Sequence, residues 1–214
     1  MALRNIILAT GETYHIFSRS IRHSPLYTNK REFELFLMAV RYYLQSNPAV
    51  KFSIFRQQKN KYQINLNEAL TKIIAYCIMP DHYHFILTQL KESGIKNFIQ
   101  KLNNSYSHYF NLRHKQKGPV FESRFKAVRV KTQEQLIHLS RYINLNPVSS
   151  YLVEDPINYP YSSYKIYLKE EQSDLVDPSD VMVDFKSAKS YKKFVLDRKD
   201  YQRELKNIRH LTFD

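Results

Sequence analysis

Residues 72–87 constrain the fold most: two apolar, β-rich runs, 72–79 and 82–87, are separated only by Pro80-Asp81. Short runs rich in Ile and aromatic side chains, broken by a Pro-Asp pair, read as two strands joined in an antiparallel, hairpin-like pair. A strand sends alternate side chains to opposite faces. In CIMPDHYHFIL, Tyr83, Phe85 and Leu87 therefore face a core, while His82 and His84 stand together on the other, open face. Two neighbouring imidazoles are half of a metal site, or two polar residues on an exposed surface.

The flanking elements follow from periodicity and caps. Residues 13–18 alternate like a strand. Asn29 with Glu32 forms a capping-box-like start to a helix carrying Phe33, Phe36, Leu37, Val40 and Leu44 at helical spacing, closed by Pro48. Residues 51–55 read as a short strand. Residues 93–114 read as a long helix with Ile95, Phe98, Ile99 and Leu102 on one face, ended by Gly118-Pro119. A strand over 124–130 precedes a second cap, Thr132 with Gln135, and a helix predicted to run to about Asn146, where Pro147 stops it. From Val148 onward the chain is aromatic, then charged. It is expected to wrap the domain and end in a helix around 190–205.

Strand, helix, strand, strand, helix, strand is the order of a ferredoxin-like (RRM-like) α+β fold. That fold has an antiparallel sheet with helices on one face and the other face free for a ligand. The segment at 51–55 and the tail are additions to it. There is no internal repeat or low-complexity tract.

At 214 residues the chain can bury a sizeable core. Cys77 is the only cysteine, so no intrachain disulfide forms and a reducing compartment is expected. No apolar run approaches a membrane span, and Met1-Ala2-Leu3-Arg4 does not open a signal peptide. A cytoplasmic protein with no membrane partner is expected. The formal net charge of +13 calls for a polyanionic partner. Basic residues cluster at 113–117 and 124–126, and tyrosines interleave with them, as suits unpaired nucleic acid. Arg113, Lys115, Lys117, Arg124, Lys126 and Arg141 are the candidate DNA contacts. The plain alternative for 113–117 is a solvated helix end.

On a helix, His138, Tyr142 and Asn146 fall at i, i+4 and i+8, a polar stripe beside a Leu136/Leu139/Ile143 core face. A phenol and an amide thus face the same way one turn apart. Spacing alone leaves Tyr142 open as a packing tyrosine and Asn146 as a helix-end signal.

Four stretches together resemble a known family. The HxH strand after Met79-Pro80, the run GPVFESRFK, the run RYINLNPV and the later DPINYPYSSY are similar to those of REP-associated tyrosine transposases. These are single-tyrosine HUH endonucleases related to transposases of the insertion-sequence 200/605 type. The resemblance spans about residues 13–167. It implies a single-tyrosine HUH transposase domain over 1–167, with 168–214 a C-terminal helical extension packed on it or tethered to it.

The resemblance implies that His82 and His84 are the HUH pair, Tyr142 the nucleophile and Asn146 the third metal ligand. Asp81 stands where that family often has Asn or Glu. The implied cofactor is a divalent cation, Mg2+ or Mn2+, although imidazole ligands by themselves favour later transition metals. The implied reaction is metal-dependent cleavage of single-stranded DNA near a hairpin, through a 5′-phosphotyrosine, followed by strand rejoining: transposition and recombination chemistry. The expected partner is single-stranded or hairpin DNA, bound by a monomer or a homodimer. Two rival readings are a non-catalytic single-stranded nucleic-acid-binding module of RRM-like fold and a metallohydrolase with water as nucleophile. The first lacks an RNP1-like run and leaves His82, His84 and Asn146 unexplained. The second makes Tyr142 dispensable.

Overall fold

In the computed structural model, which describes residues 6–122 and 124–197, the alternation of Tyr14, Ile16 and Ser18 becomes strand β1 (Thr13–Arg19), with those three side chains buried. Helix α1 (Lys30–Tyr43) is capped by Asn29, whose side chain accepts from Glu32 N at 3.2 Å. Glu32 does not close a box back to Asn29. Its buried carboxylate accepts instead from Thr28 N and Thr28 Oγ1, each at 2.8 Å, and lies 2.8 Å from His114 Nε2.

The segment expected as a strand at 51–55 is helix α2 (Phe52–Gln57). Phe52 and Phe55, three residues apart, both reach Tyr42, with ring centroids 5.1 and 5.0 Å away. Only a helical turn puts two such positions on one side, so ring packing overrides the local β preference.

Strands β2 (Thr71–Ile78) and β3 (His82–Gln89) follow as the expected hairpin pair, then α3 (Gly94–His114), β4 (Lys126–Arg129) and α4 (Gln133–Ser149). Short helices α5 (Tyr164–Tyr167) and α6 (Ser179–Met182) and a capped α7 (Ala188–Leu196) complete the described chain. The tail helix expected around 190–205 begins as α7, and its part beyond residue 197 lies outside the described residues. The four strands form one antiparallel sheet in the order β2-β3-β1-β4, so the α+β, ferredoxin-like expectation holds. β1 pairs with β4 with Tyr14 opposite Arg129 and Phe17 opposite Lys126.

Two compact units divide the chain. The first takes residues up to 72, 80–82 and 87–129; the second takes 73–79, 83–86 and 130 onward. In the first, the Tyr106 ring lies among Tyr27, Phe36 and Phe121, and its hydroxyl donates to Leu26 O at 2.7 Å. In the second, residues 159–167 run along β2. Ile78 N donates to Tyr161 O, Ser163 N to Tyr76 O, Tyr159 OH to Ile78 O and Tyr167 OH to Ile74 O.

Pro147 does not stop α4, which continues to Ser149. The extra turn buries Pro147, Val148 and Ser149 and gains a bond from Ser149 Oγ to Leu145 O at 3.1 Å. Burial outweighs the amide hydrogen that proline lacks. The helix's inner face also differs from expectation: Leu139 is only half-buried, and Ser140 sits fully buried between Leu136 and Ile143.

Gly94, the first residue of α3, has no room for a side chain. A Cβ there would lie 2.2 Å from Leu70 O, a carbonyl that already accepts from Leu90 N and Lys91 N. Gly94→Ala is expected to destabilise the protein by about 2 kcal/mol, because backbone must move to admit the methyl group. A denaturant midpoint unchanged from wild type would show that α3 starts elsewhere.

Burial alone would raise the Glu32 carboxyl's pKa, but its bonds from Thr28 and His114, with the His114 charge, outweigh that and hold it below the ordinary 4.5. A depressed carboxyl adds stability above the unfolded-state value and loses it as pH falls through the folded-state value. The stability gap between wild type and Glu32→Gln should therefore be full at neutral pH and narrow steadily below about pH 4.5. Denaturant melts across an acid series check this.

Candidate active site

β3 carries both imidazoles, and neither lies on an open face: His82 is 9% exposed and His84 6%. That corrects the open-face expectation, while Tyr83, Phe85 and Leu87 are buried on the opposite side as predicted. The strand is thus covered on both faces, so the two histidines must be satisfied inside the protein.

In the first unit, His82 Nδ1 lies 2.5 Å from Asp81 Oδ1. A carboxylate on Nδ1 fixes that nitrogen as the donor and leaves Nε2 with the lone pair a metal would use. The other Asp81 oxygen lies 3.9 Å from both Arg19 Nε and His23 Nδ1. Burial alone would raise the Asp81 carboxyl's pKa, but the His82 bond and charge, with the Arg19 charge, prevail and keep it below the usual carboxylate range. Asp81, whose place in the motif left its role open, is the residue that orients His82.

In the second unit, the His84 ring meets Tyr142 of α4 edge-on, with centroids 5.7 Å apart and planes at 85°. One turn on, Asn146 is 4% exposed, and its Nδ2 has no hydrogen-bond partner among the described residues. Amide nitrogen and oxygen are interchanged by a half-turn of the side chain. That turn brings Oδ1, a metal-binding atom, to the unsatisfied position. Among the described residues no three His, Cys, Asp or Glu side chains cluster as a metal site. Imidazole nitrogen and amide oxygen are donor types that a divalent cation takes, and within the second unit His84 and the Asn146 amide supply one of each.

The back of α4 holds it in place. Ser140 Oγ donates to Ile137 O at 2.7 Å, so the Tyr191 hydroxyl, 3.1 Å away, must donate to Ser140. The same hydroxyl accepts from Asn144 Nδ2 at 2.9 Å. Asn144 Oδ1 accepts from Ser163 Oγ at 3.1 Å, and Ser163 Oγ accepts from Tyr76 N at 3.1 Å. Burial pushes the Tyr191 phenol well above its ordinary pKa, in keeping with its part as a donor. The chain Tyr191–Asn144–Ser163–Tyr76 ties α7, α4 and β2 together. Sequence reading missed it, although a signal was present: Asn144 and Asn146 are two residues apart, about 200° around a helix, so both cannot face one way.

The remaining predicted residues fall in different settings. His138, exposed, accepts at Nδ1 from Arg141 Nη2 at 2.7 Å. Arg141 stacks over Phe194 of α7, 4.3 Å from the ring centroid, so its guanidinium packs helices together. Lys126 lies over the Phe17 ring at 5.9 Å. Arg113, Lys115, Lys117 and Arg124 are exposed, with Lys115 in the left-handed cap that ends α3.

The sheet and its covering helices are those of a ferredoxin-like α+β protein whose polar stripe lies on a helix against a histidine-bearing strand. A family model described as "Transposase IS200 like" matches residues 42–146, from late α1 to Asn146 of the stripe. The matched segment is similar to that family and contains the HxH strand, the GPVFESRFK run and most of the RYINLNPV run. Among solved structures, the chain is similar to a REP-associated tyrosine transposase bound to a REP hairpin, with TM-score 0.52 and 17% identity over 83% of this chain and 94% of that one. No curated protein matches the chain. Among the described residues, no helix is long and apolar enough to cross a membrane.

Tyr191→Phe should cost about 1–3 kcal/mol, because it strands the buried Asn144 amide hydrogen and the Ser140 oxygen in one step. The same deletion at exposed Tyr151 should cost under about 0.5 kcal/mol. Paired denaturant melts give both numbers.

Proposed function

We propose that this protein is a DNA-processing transposase-type enzyme that cleaves and rejoins single-stranded DNA at or near hairpins, with Tyr142 as nucleophile and a divalent cation held by His82, His84 and Asn146. The observation that carries the reading is Tyr142 held edge-on to His84, one turn from an amide with an unsatisfied terminus.

In this reading, Tyr142 Oη loses its proton and forms a bond to the scissile phosphorus. The bond from phosphorus to the departing O3′ breaks, and that oxygen leaves as a 3′-hydroxyl after taking a proton. The product is a 5′-phosphotyrosine that stores the energy of the phosphodiester, so a second 3′-hydroxyl can attack it and rejoin a strand without ATP. Asp81 keeps the His82 tautomer with Nε2 available, and the packing of His84 against Tyr142 limits the phenol's rotation. When bound, Mg2+ or Mn2+ would polarise the phosphate and offset charge on the departing oxygen. Arg124 and Lys126 are proposed phosphate contacts on an exposed edge, and Arg113, Lys115 and Lys117 a second basic patch.

The burial of both imidazoles changes what their removal should do. His84→Ala is expected to cost stability as well as cleavage, since it leaves a hole beside Tyr142.

Tyr142→Phe is the cleaner test. It removes one oxygen and keeps the ring against His84, so folding and DNA affinity should hold near wild type, while cleavage and the covalent adduct fall at least about a thousandfold. Incubation with labelled hairpin DNA and Mn2+, then a denaturing gel and mass spectrometry of the linked peptide, reads both. Sustained cleavage by Tyr142→Phe would select a water-using hydrolase, and an adduct on another tyrosine would move the nucleophile.

A further inference from the structure

A groove of about 890 Å3 opens in the first unit among α1, α2 and α3, within the ~300–1,000 Å3 range of small-ligand sites. None of its residues belongs to the metal and nucleophile set. Its walls include three half-buried rings, Tyr43, Phe52 and Tyr109, and three exposed cations, Lys51, Arg56 and Lys101. Among the described residues, no Asp or Glu lines it. Tyr43 and Phe52 lie 5.6 Å apart, and the Arg56 guanidinium sits 5.7 Å from the centre of the Tyr109 ring.

The contrast with nearby aromatics is informative. Tyr42 and Tyr106 are buried, and each hydroxyl is spent on a backbone carbonyl, Val50 O and Leu26 O respectively. The groove rings keep part of their surface open to solvent and stand beside cations that no lining carboxylate offsets. Flat apolar faces alternating with positive charge match a ligand that alternates flat bases with phosphates, and only unpaired bases can offer their faces to such rings. A second copy of this chain is a poor occupant, because each copy carries a formal charge of +13.

We propose that this groove binds unpaired nucleotides of the DNA the protein acts on, stacking bases on Tyr109, Phe52 and Tyr43 and pairing phosphates with Arg56, Lys51 and Lys101. It rests on the reading that the substrate is DNA with single-stranded segments, and adds a site that holds such a segment outside the cleavage chemistry. A strand anchored there raises the local concentration of its neighbouring phosphates at the rest of the protein.

The test compares two labelled probes by fluorescence anisotropy with the full chain: one hairpin stem with blunt ends, and the same stem with a short oligothymidine extension. The extension should tighten binding in wild type. The double variant Arg56→Ala/Lys101→Ala alters only exposed side chains, and it should reduce that gain by about tenfold while leaving blunt-hairpin affinity and the thermal midpoint unchanged. Tyr109→Leu, which keeps the charges and removes the stacking face, should reduce it similarly. An extension carrying 5-iodouracil should cross-link to Tyr109, Phe52 or Tyr43. If the blunt hairpin binds but the extension adds nothing, or if the gain survives in the double variant, the groove is not a nucleotide site and the cleavage reading stands. If neither probe binds, both fall.

Discussion

The side chain of Asn144 has no route to water, so its amide must find a donor and an acceptor inside the protein. It finds them in Ser163 and Tyr191, and through them α4 is fixed to β2 on one side and to α7 on the other. A helix held by apolar contacts alone can rotate or slide by a fraction of a residue at small cost; hydrogen bonds of fixed length cannot. Because a helix is rigid, fixing Asn144 also fixes the direction of Tyr142 and Asn146 on the other side. The geometry of the candidate site is therefore set by polar groups that never touch a substrate.

Three of the chain's acids serve local structure. Glu32 gathers Thr28 and His114 at the start of α1, Asp81 orients His82, and Asp155 caps the turn at Ile157. Each carboxylate placed on a local donor is one fewer set against the exposed lysines and arginines. The basic surface follows partly from how the acids are employed, and a nucleic-acid partner gains from the imbalance.

Much of this was legible in the residues. Alternation gave β1, the Pro80-Asp81 break gave the β2–β3 pair, and Asn29 and Thr132 marked the starts of α1 and α4 where their side chains do accept from Glu32 N and Gln135 N. Residues 51–55 misled because phenylalanines suit strands, and only Tyr42, nine or more positions upstream, makes their helical spacing useful. Pro147 misled because its local cost is visible in the sequence while the burial of the turn after it is not. The imidazoles seemed to face solvent because alternation says which side chains share a face, never what covers that face. The family resemblance supplied roles for His82, His84, Tyr142 and Asn146 that spacing could only allow; Asn144 and Tyr191, linked across 47 positions, had no local pattern to betray them.

The contacts that residues 159–167 and Asp177 make along β2 reach beyond that strand. Its outward amides and carbonyls are occupied at Ile74, Tyr76 and Ile78, so this margin of the sheet has few bonds to offer another chain. The opposite margin, β4, is four residues long, and two copies aligned head to tail across it would set Lys126 against Arg129. Strand pairing between copies is disfavoured at the occupied β2 margin, and at the short β4 margin two cations would meet with Glu12 offsetting Arg129 alone.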